Sequence, residues 1–232
     1  MKPAAIAILA SGSGSTAEAF IRSVQTQNYP LDVRLVICNN PDAFVFERVK
    51  HLNSEMKLNI TSVIVNSHTQ TAAKPRLHGQ QTDEEQAAIL ELLQKHNIDC
   101  VLLLGYMKRV GTQLISRYGW LPEYTSIYQC RMFNTHPGLL PQTIGTHGLG
   151  TQEYTLAQGM KEAGQTLHAV AHEYDTGPTV AEHRVIVEPD DTAETLFARV
   201  QAVEKERIAA DVMTFIEAQE DYLQKHSTSS KQ

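Results

Sequence analysis

The sequence has no paired cysteines. Cys38, Cys100 and Cys130 are its only three, and their spacing forms no disulfide framework. Cys38 and Cys100 fall in apolar runs, so buried free thiols in a reducing compartment are the expectation. Cys130 lies beside Arg131 but is not expected to act as a nucleophile. An excess of positive charge is also missing. The net charge is −6 and the sequence pI about 5.9, which excludes nucleic acid as the main partner, because that binding leans on Lys and Arg neutralising phosphates. No apolar run approaches the roughly 18 residues of a membrane span. The N-terminal apolar run stops at Ser11 with no cleavage region, so a secretory signal is excluded and a cytoplasmic protein expected. Neither an internal repeat, an interdomain linker nor a metal-ligand cluster is evident. These absences leave one domain over residues 1–224, with a polar tail at 225–232 expected to be disordered.

What is present fits a globular protein with a full core: 232 residues, 42% hydrophobic and 20% charged. Apolar runs at 4–10, 33–38, 60–65 and 101–104 read as strands, and helical periodicity separates them. That alternation predicts a doubly wound, mostly parallel α/β sheet with helices on both faces. Residues 166–173 and 180–187 alternate as strands close enough together to pair antiparallel. Capping-box spacing at Ser15 and Glu18, and at Thr82 and Glu85, marks two helix starts; Asp191 and Glu194 cap a long last helix. Residues 67–81 are polar and read as a mobile surface loop in which Arg76 and His78 could touch a ligand. Residues 120–129 show no clear element.

Four stretches carry chemistry. Ser11-Gly12-Ser13-Gly14-Ser15-Thr16 joins the first strand to its helix. Backbone N–H groups at such a start suit a small phosphate ester, or the loop is a simple tight turn. No Gly-Lys-Ser/Thr follows and the dinucleotide fingerprint is incomplete. Gly105-Tyr106-Met107-Lys108-Arg109-Val110 ends a strand, where a flat heterocycle can bind, or where side chains simply pack. Asn134-Thr135-His136-Pro137 holds an amide donor and an imidazole two residues apart. Asp175, in Glu173-Tyr174-Asp175-Thr176-Gly177-Pro178, is either a turn acid or a partner for that imidazole, whose pKa a carboxylate would raise. His168 and His172 are four apart and share a face in the strand reading, without forming a zinc set.

Taken in this order, and with Asn134-x-His136-Pro137-Gly138-Leu139-Leu140-Pro141 followed by Asp175-x-Gly177-Pro178, these motifs resemble the folate-dependent formyltransferase family over roughly residues 4–217. The resemblance implies a Rossmann-like formyltransferase sheet with a late antiparallel strand. It implies Asn134, His136 and Asp175 as the catalytic trio, and Gly14, Ser15 and Thr16 as the substrate-phosphate loop. It implies Met107, Lys108, Arg109 and Val110 on one side of the folate pterin, with Ala171, His172, Glu173, Tyr174 and Asp175 on the other. Glu204 matches an acid that meets the substrate, and His147 and His168 match supporting histidines. The chain departs from the family pattern at Thr16, at Arg109 and at Gln142-Thr143-Ile144.

The implied reaction moves a formyl group from 10-formyltetrahydrofolate, a cosubstrate, to a phosphorylated amine, with no metal. The N-terminal glycine loop points to the branch that formylates glycinamide ribonucleotide in purine synthesis. Small molecules are the implied partners, without nucleic acid or membrane, and the apolar stripe of the last helix is core or a homodimer seam. The alternatives are a formyltransferase for another amine (an amino sugar or methionyl-tRNA), a 10-formyltetrahydrofolate hydrolase, and a non-catalytic folate-binding protein. The acidic balance weighs against the tRNA version.

Overall fold

The computed structural model describes residues 2–70, 77 and 79–227. Among these residues seven strands form one sheet in the order β3-β2-β1-β4-β5-β6-β7. They are β1 (Ala4–Ala10), β2 (Leu31–Cys38), β3 (Thr61–Ile64), β4 (Cys100–Leu103), β5 (Met132–His136), β6 (Glu162–Ala169) and β7 (Thr179–Ile186). Pairing is parallel from β3 through β5; β6 runs antiparallel to both β5 and β7. The predicted doubly wound sheet with a late antiparallel strand is therefore the observed one.

Among the described residues six α-helices cover the sheet: α1 (Ser15–Thr26), α2 (Val45–Met56), α3 (Asp83–Lys95), α4 (Thr112–Tyr118), α5 (Leu149–Ala157) and α6 (Ala193–Ser227). Every residue of β1 is buried, and the pleat explains why. Ile6 and Ile8 enter the layer under α1, α2 and α6, packed with Phe20, Val49 and Val212. Ala7 and Leu9 enter the opposite layer with Ile89 of α3 and Leu114 of α4. Full burial of one such side chain contributes about 1.5–3 kcal/mol, so a one-residue register slip in β1 would be costly on both faces.

Helix starts divide into those set by their caps and those set by tertiary contacts. The Thr82–Glu85 capping box forms as predicted. The Ser15–Glu18 box does not. Gly14 is the N-cap, in the left-handed region at φ 71°, and no side chain caps the helix. Glu18 is instead taken by Arg22 and Arg48, and two guanidinium partners outbid one backbone N–H. At α6 the reciprocal cap is Thr192 with Thr195, because Asp191 is occupied by Arg199 and the Glu188 N–H.

Other expectations change. The sixth strand is Glu162–Ala169, not 166–173. It is buried on both faces, so alternation did not mark it, and Ala169 N–H closes onto the Pro178 carbonyl as the chain leaves the sheet. His172 accordingly lies beyond the strand and shares no strand face with His168. Residues 79–81 of the expected mobile loop are anchored: Arg109 N–H donates to the Gly79 carbonyl, and Gln81 donates to the Tyr106 hydroxyl and accepts from Gly111 N–H. Arg76 and His78 lie outside the described residues. Residues 225–227, given to the tail, continue α6. In the stretch 120–129 a 3₁₀ turn forms at Ile127–Gln129. The three cysteines are buried and free, and burial pushes the Cys130 thiol up to about 11 despite the neighbouring Arg131.

Candidate active site

The sheet order reverses between β1 and β4, and a crevice beyond the strand ends is the general ligand position at such a switch point. Here the two flanking loops are laced together. Ser11 N–H donates to the Gly105 carbonyl at 3.0 Å, and Met107 N–H donates to Ser11 Oγ at 2.8 Å. The glycine loop is tightly seated. A Cβ on Gly14 would lie 2.4 Å from Val45 Cγ2, and its φ is positive, so both space and conformation require glycine there. The loop leads into the N-terminus of α1, where Ser15 and Thr16 are half-buried. Thr16 Oγ1 donates to Glu204 on α6 at 3.3 Å. Burial raises the Glu204 pKa, while hydrogen bonds from Thr135 and Thr16 oppose that rise. Arg48 also reaches this loop, donating from Nε to the Ser13 carbonyl at 2.8 Å.

Next to the β4 end stands the end of β5. Asn134 pairs with Leu103 on one side and His168 on the other, so its side chain shares a face with His168. Asn134 Nδ2 lies 3.1 Å from His168 Nε2, and His168 Nδ1 lies 3.0 Å from the Ala169 carbonyl. A carbonyl only accepts, so the proton of neutral His168 sits on Nδ1 and Nε2 accepts from the amide. One amide N–H of Asn134 is thereby used and the other is left over.

Asp175 reaches the same point from the loop after β6. It is buried, with a positive φ of 57° that holds it in the left-handed region. A Cβ on the neighbouring Gly177 would lie 1.8 Å from the Ala169 carbonyl, so this turn closes only over glycine. Asp175 Oδ2 is 3.4 Å from His136 Nδ1, and Oδ1 is 3.5 Å from His168 Nε2. A carboxylate at that range favours imidazolium, yet burial wins. Desolvation, with His168 as a second contributor, pushes His136 down to about 4 against the contact with Thr143. His168 falls to about 4 through burial, and burial lifts Asp175 to about 6. The expectation that Asp175 would raise the His136 pKa is thus reversed.

Between the two loops lies a pocket lined by Lys108, Arg109 and Val110 on one side and Ala171, His172 and Tyr174 on the other, with Asn134, His168 and Asp175 at its end. Arg109 Nη2 donates to the His172 carbonyl at 2.7 Å and joins the two walls. Lys108 is turned away onto the buried Glu85 carboxylate, at 2.5 and 2.8 Å. Met107 and Glu173 do not line this pocket. Met107 is 61% exposed and faces a neighbouring cavity with Leu77 and Thr82. His147 is exposed, and His136 Nε2 meets Thr143 instead. Tyr106 lines the pocket as the stretch that holds it suggested, and the sequence reading missed Leu103 and Val170, which complete it, and Thr135, Thr143, Thr166 and Arg48. Leu103 and Val170 are buried behind the motif residues, and threonine in a strand or turn carries no motif signal. Among the described residues no group of three or more metal-ligating side chains is found, and no helix is long and apolar enough to cross a membrane.

The sequence model of the Formyl transferase family matches residues 4–212. The chain is 31% identical over 200 residues to the phosphoribosylglycinamide formyltransferase of Bacillus subtilis, spanning 85% of this chain and 87% of that one. It is 30% identical over 202 residues to the Escherichia coli protein of the same name, spanning 86% and 81%. The crystal structure of phosphoribosylglycinamide formyltransferase from Bacillus halodurans is similar at a TM-score of 0.72 and 32% identity, covering 91% of this chain and 95% of that one.

Proposed function

The chain belongs to the formyl transferase family, and from that premise we propose that it transfers a formyl group from 10-formyltetrahydrofolate to the primary amine of glycinamide ribonucleotide. The observation that carries the reading is that Asn134 and Asp175 stand at one end of a pocket walled by two loops, with His136 buried behind Asp175 at 3.4 Å. The walls suit a flat heterocycle held edge-on by backbone groups. The glycine loop at the start of α1 supplies backbone N–H groups for the acceptor's phosphate, and the relatives in Bacillus subtilis and Escherichia coli are named for phosphoribosylglycinamide. Glu204, which accepts a hydrogen bond from Thr16 at the start of α1, is the acid assigned to the acceptor in this reading. Under this reading residues 1–224 act as one cytoplasmic domain with small-molecule partners.

In this mechanism the acceptor amine donates its lone pair to the formyl carbon, and the carbonyl electrons move onto oxygen. Asn134 offers that oxyanion its unused N–H; removing one such donor typically costs ~10²–10³ in rate. His136 stabilises the same charge when protonated, or carries a proton. As the tetrahedral centre collapses, the bond to the folate nitrogen breaks, that nitrogen gains a proton and the amine loses one. Asp175 and His136 are the ionisable pair placed to balance these two transfers. Neutral His136 beside an ionised Asp175 is the resting state at pH 7, since burial sets their pKa values at about 4 and about 6.

The test is to mix the protein with 10-formyltetrahydrofolate and glycinamide ribonucleotide and to follow release of tetrahydrofolate. Amine-dependent release supports the reading. Release at the same rate without amine would assign a hydrolase, and release only with another amine would reassign the acceptor. Folate binding without release under any of these conditions would leave a binding protein.

A further inference from the structure

Thr143 lies in the loop that follows His136 and is 1% exposed. Its Oγ1 lies 2.9 Å from the Leu139 carbonyl oxygen and 2.9 Å from His136 Nε2. A threonine hydroxyl has a single proton, and a carbonyl can only accept. The proton therefore goes to Leu139, and toward His136 the hydroxyl oxygen is left as an acceptor. His136 has to donate from Nε2, so the neutral ring carries its proton there and leaves Nδ1 bare. Nδ1 is the nitrogen that faces Asp175 Oδ2 at 3.4 Å, and that oxygen is buried with no hydrogen-bond partner. Two lone-pair sites thus face each other across a gap that one proton would satisfy.

The surroundings hold this arrangement firmly. Thr166 Oγ1 donates to the Gly138 carbonyl at 2.8 Å and accepts from Leu140 N–H at 3.2 Å. Gln152 Nε2, fully buried on α5, donates to the Pro137 carbonyl at 2.5 Å. A Cβ on Gly138 would come within 2.3 Å of Thr143 Oγ1 and 2.7 Å of Thr151 Cγ2, so the hydroxyl is packed against the backbone of the loop that follows His136. Rotating Thr143 away from Leu139 would cost that carbonyl one of its two hydrogen bonds, the other coming from Thr143 N–H at 3.1 Å.

We propose that Thr143 is a positioning residue for the reaction: it fixes His136 as the Nε2–H tautomer and confines its proton exchange to Nδ1, the side of Asp175. The consequence for turnover rests on the formyl-transfer reading; the tautomer rests on the hydrogen-bond pattern alone. With Nε2–H committed to Thr143 and Nδ1 to Asp175, His136 acts on the oxyanion through its charge, and Asn134 is the donor that touches it.

The experiment is ¹⁵N NMR of histidine-labelled protein at pH 7.5 with turnover measured in parallel, on wild type, Thr143→Val and Thr143→Ser. The His136 signals are assigned by their loss in His136→Gln. The wild-type ring is expected to show a protonated Nε2 and an unprotonated Nδ1. Thr143→Val keeps the shape without the hydroxyl: the ring becomes a tautomer mixture and kcat falls about tenfold, the scale of one hydrogen bond, with both KM values unchanged. Thr143→Ser restores both signals and kcat. A wild-type ring protonated at Nδ1, or an Nε2–H signal that persists in Thr143→Val, would overturn the proposal, and the wild-type spectrum decides this even if the valine variant does not fold. Absence of formyl transfer in the wild type refutes the reaction instead, so each can fail alone.

Discussion

His136 and Asp175 come from different elements, β5 and the loop after β6, and stand 3.4 Å apart with 3% and 1% of their side-chain surfaces exposed. Burial drives their pKa values in opposite directions, lifting Asp175 to about 6, near a neutral working pH, and taking His136 down to about 4, away from it. Asp175 carries a cost in this position. Its folded pKa of about 6 lies above the ordinary 3.8, so between those values the folded state binds the proton more tightly than the unfolded state. Its contribution to stability is therefore full below pH 3.8 and lost as pH rises through about 6.

Asp175→Asn should consequently be more stable than the wild type by roughly 3 kcal/mol at pH 8 and no more stable near pH 3.5, as read by urea denaturation at the two pH values. Turnover should drop at least 100-fold in the same variant, by the scale of lost charge stabilisation. Equal stability at pH 8 would mean the carboxylate is ionised at no cost.

In the free enzyme kcat/KM should decline as pH falls through about 6, following one proton taken up by Asp175. His136 and His168, lowered to about 4 by burial, contribute no limb near 6.5. A limb that stays at 6.5 would assign the profile to an imidazole.

Asn134→Ala removes the unused amide N–H and also the donor to His168 Nε2. A kcat loss of ~10²–10³ is expected, with KM for both substrates within about twofold. Steady-state kinetics decide this: a variant that raises only KM would place Asn134 in binding rather than in oxyanion stabilisation.

Ser15→Asp puts a negative charge at the start of α1, where the acceptor's phosphate is proposed to sit. The acceptor KM should rise at least tenfold by like-charge repulsion, while the donor KM holds. An unchanged acceptor KM would reduce the glycine loop to a turn.

Arg109→Leu cuts the bond from Nη2 to the His172 carbonyl and frees the two pocket walls from each other. Because that bond is exposed, the expected effect is a several-fold rise in donor KM, about 1 kcal/mol, with the acceptor KM untouched. A matching rise in both would place Arg109 outside the donor pocket.

Much of the fold followed from local pattern. The two-sided apolar run of β1, the alternation of strands and helices, and the Thr82–Glu85 cap each depend on neighbours in sequence, and each is where the pattern put it. The motif residues Asn134, His136 and Asp175 were legible for the same reason, as unusual residue types at strand ends beside glycine and proline. Tertiary structure alone decided how they meet. No spacing in the chain states that Asp175 faces Nδ1 of His136, that Thr143 rather than His147 holds Nε2, or that Met107 turns out while Arg109 bridges the pocket. Nor does sequence carry the balance between burial and charge. A carboxylate beside a histidine predicts a raised imidazole pKa, and only the depth at which the sheet and its loops bury that pair makes desolvation the larger effect.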